Sequence, residues 1–273
     1  MNVLLTNDDG IFAEGLLALR RALLEVEGVE VEVIAPDSNR SATARSITTR
    51  RPLTVEEVRF DDGGVGYATD GTPVDCVRCG WLGLVEGFEP QIVVSGINHG
   101  ANLGDDITYS GTVAAAFEGI VLGLPGIAVS QQSVARELDF RLCEDYAFDN
   151  AAAFTARVVE ELDHGMPLRP GTLLNINVPH GAPAGVALSS IGKRIYRDEL
   201  TLQDEAPDGR RRYRVYGTRP GFHDVPGTDV AAVAAGRIAV TPIHFDLTDR
   251  ESMDALAGYD LERLLTPAAR GRE

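Results

Sequence analysis

Lysine is almost missing from this 273-residue sequence; Lys193 is the only one. Arginine supplies the other basic charges, and 41 Asp and Glu against 25 Lys and Arg leave a formal net charge of −16. A body this acidic repels nucleic-acid backbones and anionic lipid, which excludes both as large-surface partners. The carboxylates are spread along the chain, so they read as a solvated surface rather than an acidic tail. Cysteine is scarce too: three residues, an odd number, make no disulfide framework. No basic-then-apolar segment opens the chain, and the expectation is a reduced, cytoplasmic protein. No apolar run reaches the roughly 18 residues of a membrane span. Glycine (29) and proline (14) are not in excess, which excludes collagen-like and low-complexity classes. The turn after the first apolar run lacks Gly-x-Gly-x-x-Gly, so dinucleotide binding is rejected.

What is present is a hydrophobic content of 44%, enough for one sizeable core. Val3-Leu4-Leu5 reads as a buried strand ended by Thr6-Asn7-Asp8-Asp9-Gly10. Residues 13–24 carry leucines at helical spacing, and residues 29–35 read as a second strand, which together make a right-handed βαβ unit. Further strands are expected at 91–95, 127–130 and 172–178, and helices at 72–84, 111–122 and 148–162, with 46–58 extended. After residue 180 the pattern turns to extended stretches with charged tips, and helix returns only at 250–265. The expected fold is therefore α/β: a Rossmann-like, doubly wound, mainly parallel sheet over 1–180. A β-rich extension with a terminal helix follows over 181–273, all as one integrated domain.

In such sheets, ligands bind beyond the carboxyl ends of the strands. Asp8 and Asp9 are adjacent carboxylates at one such end, and are costly unless a cation or donors compensate them. A hard divalent cation, Mg²⁺ or Mn²⁺, takes oxygen ligands of this kind, and Gly10 lets a ligand approach the backbone. The competing reading makes one Asp a helix cap and leaves the other solvated, but the pairing favours metal. The turn from Pro36 to Ala42, with Ser38, Asn39 and Ser41, offers hydroxyl and amide groups for a metal shell or a phosphate. Residues 95–104 hold several glycines and asparagines, and Asn98 offers a neutral carbonyl ligand. Ser110-Gly111-Thr112 opens a helix and presents N–H groups, hydroxyls and the positive dipole end to an anion. The two carboxylates carry about −2, and only a cation beside them lets a phosphate enter.

With those residues in place, the chain resembles the SurE-type 5′-nucleotidases, the stationary-phase survival proteins, over nearly its whole length. The motifs are Leu5-Thr6-Asn7-Asp8-Asp9-Gly10, Ala35-Pro36-Asp37 leading to Ser41, Asp70-Gly71-Thr72-Pro73 and Ser95-Gly96-Ile97-Asn98 through Gly104. Tyr109-Ser110-Gly111-Thr112, Asn175-Ile176-Asn177 and Gly227-Thr228-Asp229 follow. The resemblance implies one divalent cation per subunit, held by Asp8, Asp9, Ser41 and Asn98. It also implies a phosphate held by Gly10, Asn98, Ser110, Gly111 and Thr112, with Asp8 and Asp9 catalytic. The implied reaction is hydrolysis of nucleoside 5′-monophosphates to nucleoside and phosphate, with 3′-monophosphates left open by the sequence, and the implied assembly is a homodimer or homotetramer through the C-terminal extension. Ala42 departs from the family's frequent glycine after the serine ligand.

Several features read as structural. Cys76 and Cys79 have half-zinc spacing but no second pair, and fall in an apolar helix. Gly15 reads as a packing contact, His99 as a loop histidine, and Arg210-Arg211-Arg212 as a solvated hairpin tip. An aspartyl-phosphate enzyme of the haloacid dehalogenase type wants Asp-x-Asp, which is not found here. A nucleotide sensor without turnover has little need of two adjacent carboxylates.

Overall fold

The structure, a computed structural model, describes residues 1–136, 145–196, 199–215 and 221–265. Val3, Leu4 and Leu5 are fully buried because β1 (Asn2–Thr6) runs through the middle of a nine-stranded sheet. Strand alternation sends Val3 and Leu5 into one core layer and Leu4 into the other.

The chain continues through α1 (Glu14–Leu24), β2 (Glu30–Pro36), β3 (Val55–Arg59), β4 (Val65–Thr69), α2 (Pro73–Trp81) and β5 (Ile92–His99). A 3₁₀ turn at Gly104–Thr108 leads to α3 (Gly111–Val121), β6 (Gly126–Gln131), α4 (Asp149–Asp163) and β7 (Thr172–Val178). Then come β8 (Val186–Leu188), β9 (Arg194–Ile195), β10 (Thr201–Glu205), β11 (Arg211–Arg214), β12 (Gly221–Phe222), α5 (Asp229–Ala234), β13 (Ile238–His244) and α6 (Arg250–Ala257). The sheet order is β3-β4-β2-β1-β5-β6-β7-β13-β8. The run from β4 to β7 is parallel, and β3 and β13 pair antiparallel to β4 and β7. Helices α1 and α4 cover one face, α2 and α3 the other. This is the doubly wound, mainly parallel α/β sheet that the sequence predicts.

The differences are local. The strand expected to end at Ser95 runs on to His99 with a register shift between Ser95 and Asn98. Within 46–58 only the last residues form a strand, and β4 and α5 were not anticipated. Beyond residue 180, β13 and β8 pair into the central sheet, whereas β10 and β11 form a separate exposed hairpin. Thr72 caps α2 reciprocally with Asp75, and Pro73 follows at the first helical position, where its missing N–H costs nothing.

The sheet order positions the site. From β1 the chain winds outward through β2 and β4, and β5 then returns to the opposite side of β1. The carboxyl ends of β1 and β5 therefore flank the topological switch point, where α/β sheets open a crevice.

Candidate active site

The turn after β1 is closed by its own side chain. Asn7 Nδ2 donates to the Gly10 carbonyl at 2.9 Å, and Gly10 N–H donates to Asn7 Oδ1 at 3.2 Å. Gly10 sits at φ +112°, a conformation L side chains rarely adopt. The N–H of Ile11 donates to the Pro36 carbonyl, and that of Arg40 to the Asp8 carbonyl at 2.6 Å, so the ends of β1 and β2 move as one piece.

Asp8 points inward and is buried. Its Oδ1 accepts from Thr112 Oγ1 at 2.5 Å, and that hydroxyl also lies 3.2 Å from Asn98 Oδ1. Asn98 donates through Nδ2 to the Gly100 carbonyl, which turns its Oδ1 toward Asp8 and Thr112. Asp9 is less buried. Its Oδ1 accepts from Asn39 Nδ2 and its Oδ2 from the His99 N–H, both at 3.1 Å. Of the two carboxylates, Asp9 faces a cleft of about 300 Å³ lined by Gly10, Phe12, Ser38, Asn39 and His99.

Burial, and then the charge of its neighbour, pushes Asp8 up to about 6, against the Thr112 hydrogen bond. Burial pushes Asp9 up to about 6, against the donors His99 N–H and Asn39. Among the described residues neither carboxylate has an Arg or Lys ion-pair partner, although the chain pairs many other Asp and Glu in this way. Their charge thus lacks a protein cation to offset it. Among the described residues no three or more His, Cys, Asp or Glu are grouped so that they alone could hold a metal ion. A metal at this pair would therefore need neutral oxygens to complete its shell, and the Asn98 carbonyl oxygen lies beside it. The donor set is all oxygen, as a hard divalent cation requires.

Ser110 caps α3, its Oγ accepting from the Val113 N–H at 3.1 Å. The Ser110 hydroxyl proton stays free to donate outward. Gly111 packs against Asp8, where a Cβ would stand 2.8 Å from Asp8 Cβ and Oδ2. The start of α3 thus lies against the acidic pair. Ser41 is exposed, on the loop that follows Arg40, its N–H donating to Asn39 Oδ1 at 2.8 Å. The structure brings Asp8, Asp9, Gly10, Asn98, Gly111 and Thr112 together, with Ser110 next along the chain. Ser41 is linked to them only through the Arg40 backbone and Asn39.

A family model described as "Survival protein SurE" matches residues 3–218. The chain belongs to the SurE family. Among SurE relatives, the "5′-nucleotidase SurE" of Rubrobacter xylanophilus is 52% identical, covering 97% of this chain and 99% of that protein. That of Geobacter sulfurreducens is 45% identical, covering 96% and 94%. The crystal structure of the SurE protein from Aquifex aeolicus superposes with a TM-score of 0.76 at 36% identity, covering 97% of this chain and 100% of that one.

Three features of this candidate site differ from the sequence expectation. Asn39, expected to offer its amide to a metal shell or a phosphate, holds Asp9. Thr112, expected to face phosphate, gives its hydroxyl hydrogen bond to Asp8. Phe12 lines the cleft, and the sequence signal for it is an aromatic residue between Gly10 and the first helix. His99 ends β5 rather than lying in a loop, and its ring packs on Tyr146 and Phe148 at centroid distances of 5.1 and 5.0 Å. The structural readings of the rest hold. Cys76 is buried and both Cys76 and Cys79 are free, a Cβ at Gly15 would meet the Ile97 carbonyl, and Arg210–Arg212 edge a hairpin beside Asp208, Glu205 and Asp204.

Proposed function

We propose that this chain is a divalent-metal-dependent phosphomonoesterase that hydrolyses nucleoside 5′-monophosphates, and 3′-monophosphates as well, to nucleoside and phosphate. The observation that carries this reading is a pair of adjacent carboxylates, Asp8 buried and Asp9 partly so, without a cationic partner among the described residues, with Asp8 against the N-terminus of α3 at the switch point of the sheet. The curated relatives named 5′-nucleotidase support the substrate class. Asp8, Asp9, Asn98 and Ser41 would hold one cation, Mg²⁺ or Mn²⁺. When bound, it supplies Lewis-acid polarisation of a phosphoryl oxygen and a lowered pKa for bound water.

The chain's own groups do the positioning. Thr112 fixes one Asp8 oxygen, leaving the other for the metal. Asn39 and the His99 N–H hold both Asp9 oxygens in the wall of the cleft, so that Asp9 meets the phosphoryl group first. The Ser110 hydroxyl and the free N–H groups of α3 donate to the phosphoryl oxygens, where charge develops in the transition state, and the helix end adds about +0.5 of favourable charge. Gly10 leaves room for the phosphate beside the backbone.

We place the enzyme in the cytoplasm, in keeping with the free thiols of Cys76 and Cys79 and with the absence, among the described residues, of any helix long and apolar enough to cross a membrane. We assign the C-terminal extension to a homodimer or homotetramer interface. In support, α6 buries none of its residues, and Leu247 (84%) and Leu265 (85%) are mostly exposed. Sedimentation of the full chain against Leu256→Glu checks this part: the variant should dissociate.

Phosphate release from a panel of nucleoside 5′- and 3′-monophosphates, with Mn²⁺, with Mg²⁺ and with EDTA, tests the activity. Release with metal and none with EDTA supports the reading. Equal release in EDTA would remove the metal from it.

A further inference from the structure

We propose that Phe12 is the platform on which the nucleobase of the substrate stacks. This subsite rests on the nucleotide-phosphatase reading above and adds to it the contact that recognises the base.

Phe12 stands at the tip of a turn pinned on both sides. The Ile11 N–H is bonded to the Pro36 carbonyl at 2.8 Å, the Ala13 N–H to the Gly10 carbonyl at 3.0 Å, and the Leu17 N–H to Ala13 at the start of α1. Ile11 on one side is 1% exposed, while Phe12 is 60% exposed. An aromatic side chain held in water by so fixed a backbone leaves apolar surface without a partner. Exposed apolar residues are ordinary when scattered, so its location decides the matter. Phe12 is the exposed aromatic among the residues lining the cleft of about 300 Å³ into which Asp9 projects.

The lining of the cleft combines an apolar stretch, Ile11, Phe12 and Ala13, with a polar one, Asp37, Ser38 and Asn39. Asp37 Oδ1 already accepts from Ser38 Oγ and Arg40, so the polar stretch is itself held in place. A nucleoside has the matching halves: a flat ring with a π-face, and a sugar rich in hydroxyl groups. With phosphate at Asp9 and α3, the sugar falls against residues 37–39 and the base against the Phe12 ring. The volume is at the low end for small-molecule sites, which suits a ligand left partly in solvent. Stacking on a ring tolerates every base, so Phe12 selects for a base without selecting among bases.

The test compares two phosphomonoesters that share a ribose and differ only in the base, adenosine 5′-monophosphate and ribose 5-phosphate. Phe12→Ala should raise KM for the adenosine compound about fivefold or more. Ribose 5-phosphate should shift by less than twofold, and Phe12→Trp should restore the first KM. Equal losses on both substrates would overturn the proposal, since Phe12 would then only brace the Asp9 turn. Unchanged kinetics on both would overturn it too. If the wild type turns over neither substrate with Mn²⁺ or Mg²⁺, the phosphatase reading fails on its own. Calorimetry with adenosine 5′-monophosphate then decides the subsite: weaker binding by Phe12→Ala keeps it, and equal binding removes it.

Discussion

Gly111 lies so close to Asp8 that a methyl group there would stand 2.8 Å from the Asp8 Cβ and from its Oδ2. The first residue of α3 thus fixes how near the helix comes to the acidic pair. Helix propensity alone favours alanine over glycine by about 1 kcal/mol. Gly111→Ala should therefore keep the fold but displace Asp8. Titration calorimetry with Mn²⁺ should show at least a tenfold loss of affinity, while the far-ultraviolet circular dichroism stays unchanged. Wild-type affinity would mean that Asp8 is not a ligand.

Gly15 ties the packing of α1 to the same site. A Cβ there would meet the Ile97 carbonyl at 2.2 Å and the Phe148 ring at 3.1 Å. The first contact is backbone and cannot swing aside, so overpacking outweighs the gain in helix propensity. Gly15→Ala should lose about 1–3 kcal/mol in urea denaturation. It should also weaken Mn²⁺ binding, because Asn98 follows Ile97. Loss of stability with full metal affinity would separate the two.

The elevated carboxyls give a pH dependence in metal-free protein. Asp8 and Asp9 lie near 6 when folded, against an ordinary value of 3.8. A raised carboxyl contributes stability that is fully present below about pH 4 and is lost as pH rises through about 6. In EDTA, the urea midpoint of the wild type should fall relative to that of Asp8→Asn between pH 4 and pH 7. Divalent metal should reverse the trend, since its ligands must be deprotonated, and metal affinity should weaken below about pH 6. A wild type that gains on the variant as pH rises would contradict the burial argument.

The loop carrying Ser41 is anchored at a distance. Arg45 and Arg78 reach the buried Glu118 of α3 at 2.6 and 2.7 Å, and the Ala44 N–H donates to the Tyr109 carbonyl at 3.1 Å. Glu118→Gln removes the charge that holds Arg45 and should loosen residues 41–45. Hydrogen exchange there should rise while β1 and β5 stay protected. Destabilisation of about 1 kcal/mol is expected, because both arginines that lose their partner are partly exposed and stay solvated. Unchanged exchange in the loop would show that its conformation is set locally.

These relationships differ in how far the sequence reveals them. The Asp8-Asp9 turn and the start of α3 are legible because each follows or opens a strongly patterned element: a continuous apolar strand in one case, an alanine-rich helix in the other. The tie between them is not legible, since Thr112 and Asp8 are 104 residues apart and only the fold joins them. β3, with its Val-Glu-Glu-Val-Arg sequence, belongs to an edge strand that carries charge on its solvent side. β4 is short and contains glycine, so it gives little pattern. β13 was hidden by Pro242, which breaks strand patterns. Pro242 is tolerated because β8 pairs only as far as Val240 and leaves it a single neighbour, Leu174. β5 continues past Gly96 because its neighbour β6 still pairs with Asn98 and His99, a long-range condition that a local reading cannot supply.

The most direct test of the central claim is phosphate release from adenosine 5′-monophosphate in Mn²⁺ by the wild type and by Asp9→Asn. The substitution is nearly isosteric and removes the charge that faces the cleft, although its single carbonyl oxygen can accept from only one of the two donors, Asn39 or the His99 N–H. The account predicts Mn²⁺-dependent release by the wild type and at least a hundredfold loss in the folded variant. Near-wild-type release by Asp9→Asn would contradict it and move the active site elsewhere in the fold.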